Sequence, residues 1–237
     1  MLVLIGALLA SFILPLAIFF FLKGAHDDET YKKDCNKLLL KGLLLGFPVF
    51  GFSLVCSLVF HVLHLDETFP LAEVLFKTFV LFALSEELMK YLVARKTIDK
   101  NRSTVSYLDV MSYTAISAIG FELMEAVFYM LETNVGQILV RGLTSMHATF
   151  GLIMGWVLAR GYKKGSKNPQ ILAVLVPVVI PGLYDLSLSE AFSGQDWAAF
   201  VAVTLAAACL IINIYNFFYM KKRRKDPYFT EPLFPEK

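Results

Sequence analysis

Apolar residues in this chain gather in long runs with few charges, near residues 2–22, 38–64, 70–94, 107–131, 136–160, 170–188 and 197–220. Each run is close to the roughly 20 residues that a helix needs to cross a bilayer. The pattern predicts an all-α fold, a polytopic transmembrane helical bundle of about seven spans. One helical domain over residues 1–225 is followed by a cytoplasmic tail, 226–237. The first run exceeds the apolar core of a secretory signal and lacks a small-residue cleavage site, so it reads as a retained span. Pro227, Pro232 and Pro235 predict an extended, poorly ordered tail.

The segments between the runs are of two kinds. Lys23, Lys32, Lys33, Lys37 and Lys41 follow the first run, and Arg95, Lys96, Lys100 and Arg102 the third. Arg160, Lys163, Lys164 and Lys167 follow the fifth, and a basic run, 221–225, the seventh. The alternate segments, His64 to Phe69, Leu131 to Gln137 and Ser189 to Asp196, contain no Lys or Arg. Basic loops stay in the cytoplasm, which puts the N-terminus, Glu132 and Ser193 outside and the C-terminus inside. The 221–225 run then reads as a stop-transfer anchor.

Composition sharpens this picture. The 237 residues are 57% hydrophobic and 18% charged, against about 45–50% and about 25% in ordinary globular chains. That excludes a soluble enzyme and places the chain in a cell membrane as a multi-pass protein, with the lipid bilayer as a partner. A net charge of +2 without a basic face excludes nucleic acid. Cys35, Cys56 and Cys209 are unevenly spaced and predict neither a disulfide framework nor a cysteine metal site.

The charges inside the runs carry the chemistry, because each costs about 2.5–3.5 kcal/mol on insertion scales and asks for a partner or a function. Span three has Lys77, Glu86, Glu87 and Lys90; span four, Glu122 and Glu125; span five, Arg141 and His147; span six, Asp185. Glu86 and Lys90 are four apart in the favourable order, which predicts that Lys90 pairs with Glu86 while Glu87 points about 100° away. His147, Gly151 and Gly155 repeat every four residues, and Gly-x-x-x-Gly permits a close helix neighbour. Pro177 and Pro181-Gly182 predict a break in span six just before Tyr184 and Asp185. Singly these residues have ordinary readings, Glu86 with Lys90 a structural ion pair and His147 a hydrogen-bonded core histidine. As a set they leave an excess of two negative charges in the membrane, which two protons or a divalent cation would balance. The depth of Glu87 depends on whether its helix continues past Arg95.

These elements, over roughly residues 80–190, resemble the PrsW family of intramembrane peptidases, distant relatives of the CAAX prenyl endopeptidases. The family's Glu-Glu-x-x-Lys looks like Glu86, Glu87 and Lys90, and its Gly-Phe-x-x-x-Glu-Asn like Gly120, Phe121 and Glu125. Its Arg and following His look like Arg141 and His147, and its His-Gly-x-Tyr-Asp like Gly182, Tyr184 and Asp185. Ala126 stands where the family has Asn, and Pro181 where it has a second His. The resemblance implies a bacterial intramembrane endopeptidase, with a catalytic core at about 70–190, acting on a membrane-anchored protein substrate such as an anti-sigma factor.

A buried carboxylate can serve as general base for the hydrolytic water. Glu86 and Glu87 are expected as the base pair, His147 as the group that orients water or stabilises the oxyanion, and Glu125 as a further catalytic residue. Lys90, Arg141, Glu122 and Asp185 are expected in support. With one histidine available, a glutamic mechanism without cofactor is favoured over a metal centre. If a divalent metal such as zinc is held, Glu87, Glu125, His147 and Asp185 would be its ligands. A proton-coupled transporter and a catalytically weakened scaffold for single-pass proteins are the other classes consistent with acids in a membrane.

Overall fold

The computed structural model describes residues 2–63, 70–131, 135–188 and 195–234; Glu132 and Ser193 fall outside them. Among the described residues the regular elements are all helical. They are α1 (Leu2–Ser11), α2 (Ile13–Lys23), α3 (Glu29–Val62), α4 (Pro70–Phe76), a π-helical segment (Lys77–Leu84) and α5 (Ser85–Lys100). There follow α6 (Tyr107–Leu131), α7 (Val135–Thr144), α8 (Met146–Lys163), α9 (Pro169–Leu188), α10 (Asp196–Arg223) and a short α11 (Pro227–Thr230).

Among the described residues, six helical stretches are long and apolar enough to cross a membrane: Leu2–Lys23, Glu29–Val62, Tyr107–Leu131, Val135–Lys163, Pro169–Leu188 and Asp196–Arg223. The third of the seven expected spans is the exception. It runs from α4 through the π segment into α5 and is more polar, because Glu86, Glu87 and Lys90 lie within it. All three are buried, so their charges meet protein rather than lipid. The whole molecule has this inverted polarity. Phe200, Val203, Ile211 and Leu54 are 65 to 72% exposed, whereas Glu87, Lys90, Ser117 and Thr149 are fully enclosed.

Helix α6 is the axis of the bundle, buried continuously from Tyr107 to Leu123. Its neighbours approach closely because the contact positions are glycine. A Cβ on Gly151 would lie 2.6 Å from Ala115 Cα, and one on Gly155 2.5 Å from Met111 Cα. Any side chain there would push α8 off α6.

The basic segments share one end of the bundle. Lys100 Nζ and Asn101 Nδ2 bond Asp34 at 3.0 and 2.8 Å. Arg224 reaches the Phe21 carbonyl at 2.9 Å, and Lys163 the Tyr228 carbonyl at 3.3 Å.

Two expectations need correction. The tail is packed as far as Phe234: Phe229 and Leu233 are buried, the Leu233 amide donates to the Val105 carbonyl at 2.9 Å, and Arg102 sits 4.0 Å above the Phe234 ring. Those apolar anchors outweigh the extending effect of the prolines. Helix α9 is unbroken and runs through Pro177 and Pro181, as buried helices can where neighbours satisfy the freed backbone groups. The interruption falls in span five, where Ser145 adopts a left-handed φ of 46° between α7 and α8.

Candidate active site

The π segment passes directly into α5, where Glu86 and Glu87 occupy the first turn. Ser85 marks the join, its hydroxyl donating back to the Phe82 carbonyl at 3.1 Å. A π turn widens the coil and re-aims the side chains beyond it, and such turns gather at functional sites. Helix α5 continues to Lys100, past Arg95, so Glu87 lies roughly 20 Å along the helix from that end at ~1.5 Å per residue. That carries it deep into the bundle.

Lys90 is completely buried, and its ammonium is shared. Nζ lies 2.9 Å from Glu87 Oε1, 3.3 Å from Glu86 Oε2 and 2.8 Å from His147 Nδ1, and 4.3 Å above the Phe121 ring. The expected exclusive pairing with Glu86 is therefore corrected: the i−3 carboxylate of Glu87 is the nearer partner. The Ser117 hydroxyl donates to the Lys90 carbonyl at 3.1 Å, tying α5 to α6.

His147 lies in the first turn of α8, just past the left-handed Ser145. Its Nε2 is 2.7 Å from Glu125 Oε2. An ammonium can only donate, so Nδ1 accepts from Lys90 and the ring proton sits on Nε2, directed at Glu125. Phe121 and Phe150 meet the imidazole edge-on and fix its plane. Glu125 Oε1 accepts from Arg141 Nη1 at 2.7 Å, and Arg141 Nη2 bonds Asp185. Side chains from five helices thus form one chain of bonds: Glu87, Lys90, His147, Glu125, Arg141, Asp185.

Glu122 does not join it. Its carboxylate accepts from Ser145 Oγ at 3.0 Å and braces the turn between α7 and α8. The possible metal ligands also differ from expectation. Glu86, Glu87 and His147 bring donor atoms within 4.8 Å of one another, whereas both oxygens of Glu125 are engaged by Arg141 and His147, and Asp185 is bonded to Arg141.

A cavity of about 370 Å³ reaches one side of this network. Glu86, Glu125, Arg141 and Asp185 form its polar wall, and Phe50 and Phe82 are among its apolar lining. Val74, Lys77, Gln137 and Leu188 also line it, close to the segments that lack Lys and Arg. The cavity therefore lies toward the end opposite the basic loops. Lys77 is paired with Glu73. Glu87, Lys90 and His147 stand behind the wall.

Sequence reasoning missed Asn213. Its amide donates to the carbonyls of Thr144 and Ser145 at 2.8 and 3.0 Å, satisfying backbone left open where α7 ends. Its one signal was a pair of carboxamides, Asn213 and Asn216, in an otherwise apolar span.

The family model for "PrsW family intramembrane metalloprotease" matches residues 35–214. The chain is 32% identical over 197 residues to Protease PrsW of Halalkalibacterium halodurans, covering 77% of this chain and 83% of the relative. It is 26% identical over 181 residues to Protease PrsW of Bacillus subtilis, covering 74% and 78%, and 24% identical over 188 residues to that of Clostridioides difficile, covering 75% and 70%. No solved structure matches the chain.

Proposed function

The chain belongs to the PrsW family of intramembrane metalloproteases, and on that footing we propose that it cleaves membrane-anchored proteins with a water activated by Glu86. The observation that carries this reading is the division of labour between adjacent carboxylates. Glu86 lines the cavity, while Glu87 is held behind it by Lys90.

The family description implies a metal. Two carboxylates and an imidazole suit a divalent ion such as zinc, but the position between them is filled by the Lys90 ammonium, 2.8 to 3.3 Å from each. As arranged, these residues do not fit a metal, and the steps that follow use the chain's own groups.

Glu86 accepts a proton from a water in the cavity as that water attacks the scissile carbonyl. A carboxylate in a dry site has the basicity for this step. Arg141, on the same wall, supplies positive charge where the oxyanion develops. The carboxylic acid of Glu86 then returns its proton to the leaving amine. His147 positions Glu125, and Glu125 with Asp185 positions Arg141. The substrate is a single-span protein, of the anti-sigma-factor class by resemblance. With the basic loops in the cytoplasm, the cut falls near the outer end of its membrane segment.

Reconstitution in vesicles with a single-span reporter tests this. Wild type should release a cut product, and Glu86→Gln should fold normally and cut at least about 10²-fold more slowly. Binding or ion flux without a cut product would reject the peptidase mechanism, and a fully active Glu86→Gln would reject the base.

A further inference from the structure

We propose that Tyr129 is a further catalytic residue, its phenolic hydroxyl donating a hydrogen bond to the oxyanion that forms when water attacks the scissile carbonyl. This rests on the reading of the cavity as a peptidase site and adds a group to it. Tyr129 follows Glu125 by four residues on α6, so the two side chains share one face of that helix, and both line the cavity. The Tyr129 hydroxyl is 3.4 Å from Glu125 Oε1, well beyond the roughly 2.7–2.8 Å usual for a hydroxyl donor. That oxygen already accepts from Arg141 Nη1 at 2.7 Å. The phenolic proton is thus loosely held, and turning it to a substrate oxygen sacrifices little. The ring itself is fixed, because the Arg141 guanidinium lies over it at 5.0 Å and a cation is attracted to an aromatic face.

Arg141 alone is a divided donor. Its two terminal nitrogens bond Glu125 and Asp185, and its Nε is buried, so two carboxylates offset the one cation before any charge develops on the substrate. Two other donors on the wall are committed elsewhere: Lys77 is paired with Glu73, and the Thr78 hydroxyl donates to the Val74 carbonyl at 2.7 Å. A preorganised hydroxyl strengthens its hydrogen bond as the carbonyl oxygen becomes an anion, which lowers the barrier rather than tightening ground-state binding. As the water oxygen bonds the carbonyl carbon, Glu86 takes the water proton, the carbonyl electron pair moves onto oxygen, and Tyr129 donates to that oxygen. When the tetrahedral centre collapses, the carbonyl re-forms, the carbon–nitrogen bond breaks, and the Glu86 proton leaves on the amine. Tyr129 keeps its own proton throughout.

The test is steady-state cleavage of the single-span reporter by full-length protein in vesicles, with melting temperature measured in parallel. Tyr129→Phe keeps the ring and its contact with Arg141 and removes only the hydroxyl. Its kcat should fall about 10²-fold, the usual effect of removing one oxyanion donor, with KM within about twofold of wild type and an unchanged melting temperature. If Tyr129→Phe does not fold, O-methyltyrosine at position 129 keeps the oxygen without the proton and should show the same loss. With 4-aminophenylalanine at that position, which restores a donor, part of kcat should return. A kcat within about threefold of wild type in the variants without a donor overturns the proposal, as does a loss confined to KM or a 4-aminophenylalanine protein as slow as the O-methyltyrosine one. Full activity of Tyr129→Phe beside an inactive Glu86→Gln overturns this inference alone. A wild type that cuts nothing overturns the proposed function and this inference with it.

Discussion

His147 and Glu125 share a 2.7 Å hydrogen bond, and each has its remaining polar atom held by a cation: Lys90 lies 2.8 Å from imidazole Nδ1, and Arg141 2.7 Å from carboxylate Oε1. Neither side chain can turn without breaking a second buried contact. The pair therefore fixes the spacing between the α5 carboxylates and the arginine on the same wall of the cavity.

Removing one partner of a buried ionic pair costs about 3–5 kcal/mol. Glu125→Ala should accumulate poorly as folded protein, because it strands Arg141 and His147. Glu125→Gln keeps an acceptor for His147 and should fold with a lower melting temperature and lose most cleavage. Thermal unfolding in detergent and a cleavage assay check both, and a Glu125→Ala protein as stable as wild type would contradict the network.

Asn213 satisfies two carbonyls at the turn that sets the direction of α8. Asn213→Leu should destabilise the protein by about 1–3 kcal/mol and reduce turnover through misplaced His147. Asn213→Ser should retain part of both. Melting temperature and cleavage rate, read together on both variants, decide this.

The contact between α6 and α8 tolerates no side chain at Gly155. Gly155→Val should cost at least the ~1–3 kcal/mol typical of overpacking, whereas Gly165→Ala, at a position with open space but φ of +67°, should cost only about 1 kcal/mol of backbone strain. The ratio of folded to aggregated protein after mild heating is the readout.

His26 lies in the loop between α2 and α3, with Nε2 2.7 Å from Asp109 Oδ1 at the start of α6. The hydrogen bond to Asp109 raises its pKa above the ordinary 6.5 against the opposing effect of burial. A folded-state value above the unfolded one means the contribution is fully present below pH 6.5 and fades as pH rises through the raised value. Wild type should therefore lose some thermal stability across neutral pH relative to His26→Gln. Parallel melting curves for the two proteins over that range would show that the tie contributes nothing.

The bias of basic loops toward the cytoplasm expects Lys100 and Lys164 inside, so Lys164→Cys should resist a membrane-impermeant thiol reagent in intact cells. Gln195→Cys, at the opposite end of the chain's last long helix, should react. The reverse result would invert the bundle and the side from which substrate is cut.

Much of this architecture was legible because lipid penalises charge: Glu86, Glu87, Lys90, Glu125, Arg141, His147 and Asp185 stood out in apolar runs and converge in space. Their individual partners were less legible. Spacing alone paired Lys90 with Glu86, but side-chain direction favours Glu87, and the π segment sets the bearing of both. The break at Ser145 left no trace, since the usual signals are proline and glycine and the conspicuous prolines lie in the unbroken α9. Phe229 and Leu233 were overlooked because the surrounding prolines suggested an extended tail, and burial of two apolar side chains decides otherwise.

The inverted polarity of the bundle separates two problems that are entangled in most enzymes. The outer belt around Leu54, Phe200, Val203 and Ile211 serves as solvent contact for hydrocarbon, while the reacting groups make their contacts inward. Rewriting that belt with Glu, Lys and Gln, which favour helix as well as the residues they replace, leaves the interior sequence untouched. The expected product is a water-soluble version of this catalytic cage, suited to solution NMR of His147 and to metal titration without detergent.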